Sequence, residues 1–268
     1  FDGFRTSHEY QKIELLDEAD LKGLIDQDAL RAFRGNALNS DHPKSRGSAE
    51  SPDVFFQVRE SVNKFYEAVP GIVEGYMDKI NTDYKPFNYF GAPDAEDIII
   101  SMGSSCGVIR ETIGYWNARG KKLGLVEVHL YRPFSAEHLL RVIPETVKRI
   151  AVLDRTKEPG AMGEPLYLDI RNVYACRDNA PLIIGGRYGL GSKDTTPGGI
   201  LAAFKNAAAE TPINSFTINI TDDVTHLSLP IDVEPDVAAK GTIACKFWGL
   251  GGDGTVGANK NSVKIIGD

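Results

Sequence analysis

The stretch Asp97-Ile-Ile-Ile-Ser-Met102, followed by Gly103-Ser-Ser-Cys-Gly107, decides the fold class of this chain. Its three consecutive isoleucines predict a short buried strand, and the glycine-bounded turn leads into a helix that extends to about Arg119. The same alternation continues along the chain, and we predict four further strands, at 123–129, 149–154, 181–185 and 215–218. Short strands that alternate with helices indicate right-handed βαβ units. We therefore predict an α/β fold with a mostly parallel five-stranded sheet flanked by helices.

Residues that favour helix starts occur between these strands. Ser135 can cap a helix that extends to Val142, and Thr196-Pro197 can open another that extends to Ala209. Residues 163–176 have a helical pattern as well. Each predicted strand is therefore separated from the next by a helix, as a parallel sheet requires.

A helical segment is predicted before the alternating pattern. Two short helices open on Asp20 and Asp26, because aspartate is suited to capping a helix N-terminus. Residues 52–81 form the longest helix candidate, and Pro70 is expected to break or kink it. Residues 83–95, which contain two prolines, are typical of a linker into the next domain.

After the last of the five strands, residues 219–241 form a polar connector and the apolar residues 242–248 predict a sixth strand. That strand leads into Gly249-Leu-Gly-Gly-Asp-Gly254 and a helix from about Thr255. G-x-G-x-x-G between a strand and a helix permits a tight turn and places helix N–H groups where a phosphate can bind. On the pattern alone, phosphate or nucleotide binding and an ordinary turn are equally supported. Asp253 favours a hydroxyl or amide ligand group over a pyrophosphate.

Two other glycine-rich turns follow predicted strands. Gly103–Gly107 has the form of an anion cradle, but a simple N-cap with a glycine turn is the favoured interpretation. The loop Gly185–Asp194 fits a ligand loop at a strand end and a contact with a neighbouring domain equally well. The polar cluster Phe4–Glu9 is better explained by capping and ion pairs than by catalysis.

Composition excludes several classes of protein. The 268 residues carry a net charge of −7, with 42% hydrophobic and 25% charged residues, so disorder and binding to nucleic acid or anionic membranes are disfavoured. No apolar run is long enough to span a membrane. Three widely separated cysteines suggest reduced thiols in the cytoplasm, and the five histidines lack the spacing of a metal site.

Six sequence segments are more specific than a short glycine motif. They are Phe1–Glu9, His42–Glu50, Lys85–Glu96, Leu153–Gly160, Gly185–Asp194 and Phe247–Ser262. Together they resemble the pyruvate:ferredoxin (flavodoxin) oxidoreductase family, and the resemblance extends over essentially the whole chain. The last segment is the longest and the most specific, and its sequence is Phe-Trp-Gly-Leu-Gly-Gly-Asp-Gly-Thr-Val-Gly-Ala-Asn-Lys-Asn-Ser.

The resemblance implies a role in a much larger enzyme. Such enzymes convert pyruvate and coenzyme A to acetyl-CoA and CO2 with thiamine diphosphate, Mg and [4Fe-4S] clusters, and they reduce ferredoxin or flavodoxin as homodimers. It implies three parts here: residues 1–83 as the tail of the thiamine domain, 84–230 as a domain similar to the C-terminal domain of transketolases, and 231–268 as a linker and the start of a coenzyme A-associated domain. The fold expected of the second part agrees with the βα pattern.

The resemblance also assigns site residues. Asp253, Gly254, Thr255, Asn259 and Lys260 match the positions near coenzyme A. The pyruvate and thiamine residues of the family lie mostly in an earlier part of the first domain and in a late domain, both outside this chain, and its cluster cysteines have no counterpart here, so we expect no catalytic residue, no metal site and no cofactor on it.

The expectation that follows is an internal, structural and non-catalytic fragment of such an oxidoreductase, which acts together with the remaining domains of the parent chain. A standalone α/β binding or assembly module is the alternative. A nucleotide-dependent dehydrogenase built on residues 249–254 is a third hypothesis, and it is disfavoured because 14 residues follow Gly254, too few for a dinucleotide-binding fold.

Overall fold

The computed structural model describes residues 15–36, 52–243, 245–246, 248 and 254–267. The described residues form two compact units. The helical unit contains residues 15–36, 52–87 and 129–141, and the sheet unit contains the other described residues. None of the described helices combines the length and the apolar character needed to cross a membrane.

The elements follow one another in an alternating order from β2 onward. The strands are β1 (Phe87–Gly91), β2 (Asp97–Ser101), β3 (Leu123–Val128), β4 (Arg149–Asp154), β5 (Leu182–Arg187) and β6 (Phe216–Thr217). The described helices are α1 (Glu18–Leu24), α2 (Gln27–Asn36), α3 (Pro52–Lys79), α4 (Ser105–Asn117), α5 (Ala136–Val142), α6 (Pro165–Tyr174), α7 (Pro197–Ala207) and α8 (Thr255–Gly267).

Aspartate side chains determine where the two short helices of the helical unit begin. Asp17 caps α1: its Oδ1 accepts a hydrogen bond from the backbone N of Asp20 at 2.8 Å, and Asp20 Oδ2 accepts one from the backbone N of Asp17 at 3.1 Å. The cap predicted at Asp20 is therefore wrong, because Asp20 lies in the first turn and completes a reciprocal pair. Asp26 caps α2 as predicted, since its Oδ1 accepts from Asp28 and Ala29, both at 2.9 Å.

Helix α3 is continuous through Pro70, where the sequence predicts a break or a kink, so the break does not occur. Proline has no N–H, so the carbonyl of Tyr66 loses its usual helical partner. Because Tyr66 is exposed, water can take the place of the missing donor. The helix therefore tolerates the loss of one backbone hydrogen bond and continues to Lys79.

The six strands form one sheet in the order β1-β3-β2-β4-β5-β6. The pairs β2–β3, β2–β4, β4–β5 and β5–β6 are parallel, and Ile99 lies opposite both Leu125 and Ala151. The predicted α/β class with a mostly parallel sheet is confirmed, and all five predicted strands are in the sheet. The sixth strand is β1, which lies within residues 83–95, the segment predicted to be a linker.

Helices cover both faces of the sheet. On one face, Ile99 and Ala151 pack with residues of α4 and α7, including Phe204, in a buried apolar cluster. On the other face, Tyr167 of α6 lies over Gly185 of β5, so closely that a Cβ atom at Gly185 would be 2.9 Å from the ring. A sheet buried on both faces requires apolar residues at successive positions, which explains the continuous apolar runs in β2, β3 and β4.

The chain that follows β6 lies along the free edge of that strand. Thr217 N donates to the carbonyl of Leu227 at 3.0 Å, and Leu229 N donates to the carbonyl of Thr217 at 2.9 Å. The strand predicted at 242–248 is wrong for the described residues of that segment, 242, 243, 245, 246 and 248, which lie outside any strand. Residues 227–229 already occupy the edge of β6, so that edge offers no partner to a further strand.

Candidate functional site

Four of the five residues that the resemblance places near coenzyme A lie at the start of α8, whereas Asp253 lies outside the described residues. Gly254 precedes the helix with a φ of +79°, a left-handed conformation that glycine adopts without strain. Its carbonyl accepts hydrogen bonds from the backbone N of Gly257 at 3.1 Å and of Ala258 at 3.2 Å. The helix therefore begins at the point where the glycine-rich phrase predicts it to begin.

Three polar residues with candidate roles lie in the first two turns of α8. Thr255 and Asn259 are one helical turn apart on the same face and are partly buried, and Lys260 is exposed on an adjacent face. A helix N-terminus carries a partial positive charge and N–H donors. Together with a hydroxyl, an amide and an ammonium group, it can hydrogen-bond an anionic or polar ligand group.

A second candidate site lies at the carboxyl ends of the strands of the sheet unit. From β2 the chain crosses to β3 on one side and then returns to β4 on the other side of β2. Open parallel sheets bind ligands where the strand order reverses in this way. The turn after β2 leads into α4 already at Ser105, and the loop predicted from Gly185 begins at Tyr188, because β5 continues to Arg187.

Tyr188 joins the β5 loop to the turn after β2, beside a hydrogen bond between Ser101 and Ser105. Ser101 Oγ and Ser105 Oγ are 2.7 Å apart, and Tyr188 Oη donates to the carbonyl of Met102 at 3.2 Å. Ser101, Ser105 and Tyr188 are buried. Burial raises the pKa of Tyr188, partly offset by hydrogen bonds from the two serines, so the phenol stays protonated and can donate. The hydrogen bond from Tyr188 therefore holds the β5 loop against the turn after β2.

The thiol of Cys106, in the first turn of α4, is held in its protonated form. Burial, assisted by the nearby carboxylate of Glu127, raises its pKa to about 12. The thiolate is the reactive form of cysteine, and almost none is present at neutral pH with such a pKa. Cys106 therefore packs as a small apolar residue at this end of the sheet.

A buried carboxylate at the end of β4 holds α6 in place. Asp154 Oδ1 accepts a hydrogen bond from Leu166 N and Asp154 Oδ2 accepts one from Tyr167 N, both at 3.0 Å. Burial raises the pKa of Asp154 to about 6, although the two N–H donors favour the charged form. The arrangement satisfies two of the N–H groups that the start of α6 would otherwise leave unpaired.

A buried ion pair joins α6 to β5. Arg187 Nε donates to Glu164 Oε1 at 2.8 Å, and Arg187 Nη1 donates to the carbonyl of Ser215 at 3.0 Å. The side chains of Glu164 and Arg187 are 2% and 10% exposed. The sequence does not single out this pair. The signal it does contain is that Asp154 and Arg187 end the apolar strands β4 and β5, and charged residues at such positions need buried partners.

The polar side chains described at the strand ends thus form hydrogen bonds and an ion pair with other residues of this chain. These interactions position loops and helices. Among residues 15–36, 52–243 and the described residues after them, no group of three or more His, Cys, Asp and Glu side chains could hold a metal ion. The start of α8 remains the candidate for ligand binding.

Comparison with known proteins gives two family models and close relatives along the whole chain. Residues 1–78 match the model "Pyruvate flavodoxin/ferredoxin oxidoreductase, thiamine diP-bdg", and residues 95–200 match "Pyruvate:ferredoxin oxidoreductase core domain II". The pyruvate-flavodoxin oxidoreductase of Enterobacter agglomerans is 58% identical over 273 aligned residues, and the pyruvate:ferredoxin oxidoreductase of Moorella thermoacetica is 58% identical over 272.

The chain spans 23% of the length of each of these two relatives, while the alignments cover all of the chain. A solved 2-oxoglutarate:ferredoxin oxidoreductase from Magnetococcus marinus aligns with 60% of this chain and 24% of its own, at 18% identity and a TM-score of 0.39. Since the two family models together match more than half of the chain and the curated relatives match all of it, the chain belongs to the pyruvate:ferredoxin/flavodoxin oxidoreductase family.

Proposed function

We propose that this chain is one section of an enzyme that converts pyruvate and coenzyme A to acetyl-CoA and CO2 and reduces ferredoxin or flavodoxin. The observation that carries the proposal is 58% identity, over the whole chain, to proteins named pyruvate-flavodoxin and pyruvate:ferredoxin oxidoreductase. In this proposal the section positions the remaining domains of a larger polypeptide and does not itself perform the chemistry. The polypeptide acts in the cytoplasm as a homodimer.

The section has three parts in this proposal. Residues 1–83 are the tail of a thiamine domain, 84–230 are a transketolase C-terminal-like domain, and 231–268 are a linker and the start of a coenzyme A-associated domain. The ranges matched by the two family models, 1–78 and 95–200, support the first two parts.

The described residues do not fit the metal-containing groups of such an enzyme. A [4Fe-4S] cluster is held by four cysteines. The three cysteines here are a partly buried Cys106 and the exposed Cys176 and Cys245, far apart in sequence, and the described residues include no set of metal ligands. We assign the clusters, and thiamine diphosphate with its Mg ion, to other parts of the larger polypeptide.

The residues at the start of α8 do fit a part of coenzyme A. Gly254 and Thr255 lie at a helix N-terminus, where N–H donors can bind a phosphate, and Asn259 lies one turn further on the same face as Thr255. The exposed Lys260 adds a positive charge that can contact a second anionic group. With Asp253, these residues form the coenzyme A contact that we propose.

An activity assay on the longer polypeptide tests both parts of the proposal. We expect that polypeptide to reduce a viologen dye in the presence of pyruvate and coenzyme A, and we expect the 268-residue chain alone to be inactive. A longer polypeptide that does not turn over pyruvate, or an isolated chain that does, would contradict the assigned function.

A pair of lysine variants tests the coenzyme A contact separately. Lys260→Ala should raise the KM for coenzyme A about tenfold, the size of one lost charge-assisted hydrogen bond, with kcat and the KM for pyruvate unchanged. Lys264→Ala is the matched control, because Lys264 is an exposed lysine one turn further along the same helix. Equal effects of the two variants would refute the site and leave the assigned reaction intact.

A further inference from the structure

The connector that follows β6 returns to the start of α7. Glu234 Oε1 accepts a hydrogen bond from Gly198 N at 2.8 Å, and Glu234 Oε2 accepts one from the hydroxyl of Thr196 at 2.7 Å. Thr196 is the N-cap of α7 and Gly198 lies in its first turn. The carboxylate therefore occupies the positive end of an 11-residue helix, where a negative charge is stabilised.

Glu234 completes the pairing of the N–H groups at this end of α7. Gly199 N donates to Thr196 Oγ1 at 3.2 Å, and Thr196 N donates to Asn219 Oδ1 at 3.2 Å. Pro197 has no N–H, so Gly198 N is the remaining donor of the first turn, and its acceptor is Glu234. The side chain that satisfies this donor comes from 36 residues further along the chain.

Close backbone packing accompanies this pairing. A Cβ atom at Gly198 would lie 2.5 Å from both Glu234 Oε2 and the carbonyl of Val233, and 2.8 Å from Ile231 Cγ2. Any side chain at position 198 would therefore displace the connector. Glycine at this position provides the space in which the connector rests on the helix.

A second ion pair lies further along the same helix. Lys205 Nζ is 3.2 Å from Asp232 Oδ2, and residue 205 is two turns from Gly198. Both side chains are more than half exposed, so water screens this pair and it contributes little to holding the connector. Glu234 is consequently the main polar attachment of residues 231–234.

We propose that residues 231–234 form a strap that closes over the N-terminus of α7 and that Glu234 holds it closed. The strap fixes the course of the chain between β6 and α8. Its release uncovers Gly198 N and frees the connector beyond Pro230. The inference concerns the chain itself and stands whether or not the proposed reaction is right.

Hydrogen exchange of the whole chain, followed by mass spectrometry on peptides that cover 196–200 and 229–236, tests the strap. Glu234→Ala should speed exchange at Gly198 at least about tenfold, equivalent to about 1.4 kcal/mol, because that amide loses its acceptor. Asp236→Asn is the matched control: it removes the same charge two residues away, where Asp236 Oδ1 accepts from Ala238 N outside the strap.

Gly198→Ala tests the same strap by a steric route that leaves every charge in place. Alanine suits a helix, so α7 should remain intact while the new Cβ at position 198 displaces the connector. Exchange in 229–236 should therefore accelerate, and it should do so in Glu234→Ala as well, because that variant releases the same residues. Unchanged exchange in both variants would overturn the proposal. So would equal acceleration in Asp236→Asn, since that result would indicate general loosening of the connector.

Discussion

Removing the carboxylate of Glu164 should destabilise the sheet unit strongly, because it leaves the buried guanidinium of Arg187 without its charged partner. In the native chain Arg187 Nε donates to Glu164 Oε1 at 2.8 Å, and the two side chains are 10% and 2% exposed. Glu164→Ala removes both the negative charge and the acceptor. The positive charge then remains in a place that water reaches poorly.

The magnitude follows from this geometry. Breaking a buried pair by removing one partner costs about 3–5 kcal/mol. Arg187 keeps its hydrogen bond to the carbonyl of Ser215 at 3.0 Å, which favours the lower end of that range. We therefore expect a loss of about 3 kcal/mol in the free energy of unfolding, which corresponds to a melting temperature lower by about 6–12 °C for a unit of this size.

Urea unfolding followed by circular dichroism at pH 7 measures the loss. Glu158→Ala is the matched control, since Glu158 is an exposed glutamate in the same loop, and we expect it to change stability by less than about 0.5 kcal/mol. The double variant Glu164→Leu with Arg187→Met should regain at least half of the loss, because it leaves no unpaired charge.

Two results would refute this reasoning. A loss below about 1 kcal/mol in Glu164→Ala would mean that water or another group compensates Arg187. A double variant whose loss equals the sum of the losses measured for Glu164→Leu alone and Arg187→Met alone would mean that the two side chains do not interact energetically.

Three further predictions use the same unfolding and labelling methods. Asp154→Asn should reduce the pH dependence of stability. In the native chain the folded pKa of Asp154, about 6, exceeds the ordinary value of 3.8, so the folded state binds the proton more tightly than the unfolded state and loses stability as pH rises from about 4 to 7. Urea unfolding at several pH values across that range measures the difference between the two chains. Gly186→Ala should cost about 1–3 kcal/mol by urea unfolding, because its Cβ would lie 2.3 Å from the phenylalanine ring of β6, whereas Gly107→Ala, with nothing within 4 Å, should cost less. Iodoacetamide at pH 8 should label the exposed Cys176 and leave Cys106 unlabelled until the chain unfolds, as peptide masses would show.

The strands with continuous apolar runs could be predicted because burial on both faces leaves a clear mark on the sequence. β2 and β4 have three or more consecutive apolar residues and all are buried. β1 has no such run: its residues are mostly half-exposed, as suits a strand at the edge, and Pro86 precedes it. Edge strands and proline-bounded segments give the same sequence pattern as linkers, so the pattern at 83–95 could not distinguish them.

The candidate site could be predicted only where its residues are neighbours in the sequence. The start of α8 follows from the glycine-rich phrase that ends at Gly254, and the coenzyme A role of its residues remains a prediction. The contacts between Glu164 and Arg187, and between Gly198 and Glu234, join residues 23 and 36 positions apart. Only the folded sheet brings such partners together, so no local sequence pattern predicts them.

The backbone that lies along β6 has a consequence for self-association. A bare strand edge offers unpaired N–H and C=O groups to any other chain, and it is the usual starting point for sheet growth between molecules. Residues 227–229 take up these groups on β6, through the bonds of Thr217 with Leu227 and Leu229. The chain thus covers this edge of its own sheet. A variant that lacks residues 227–229 would expose the edge of β6 and would tend to aggregate.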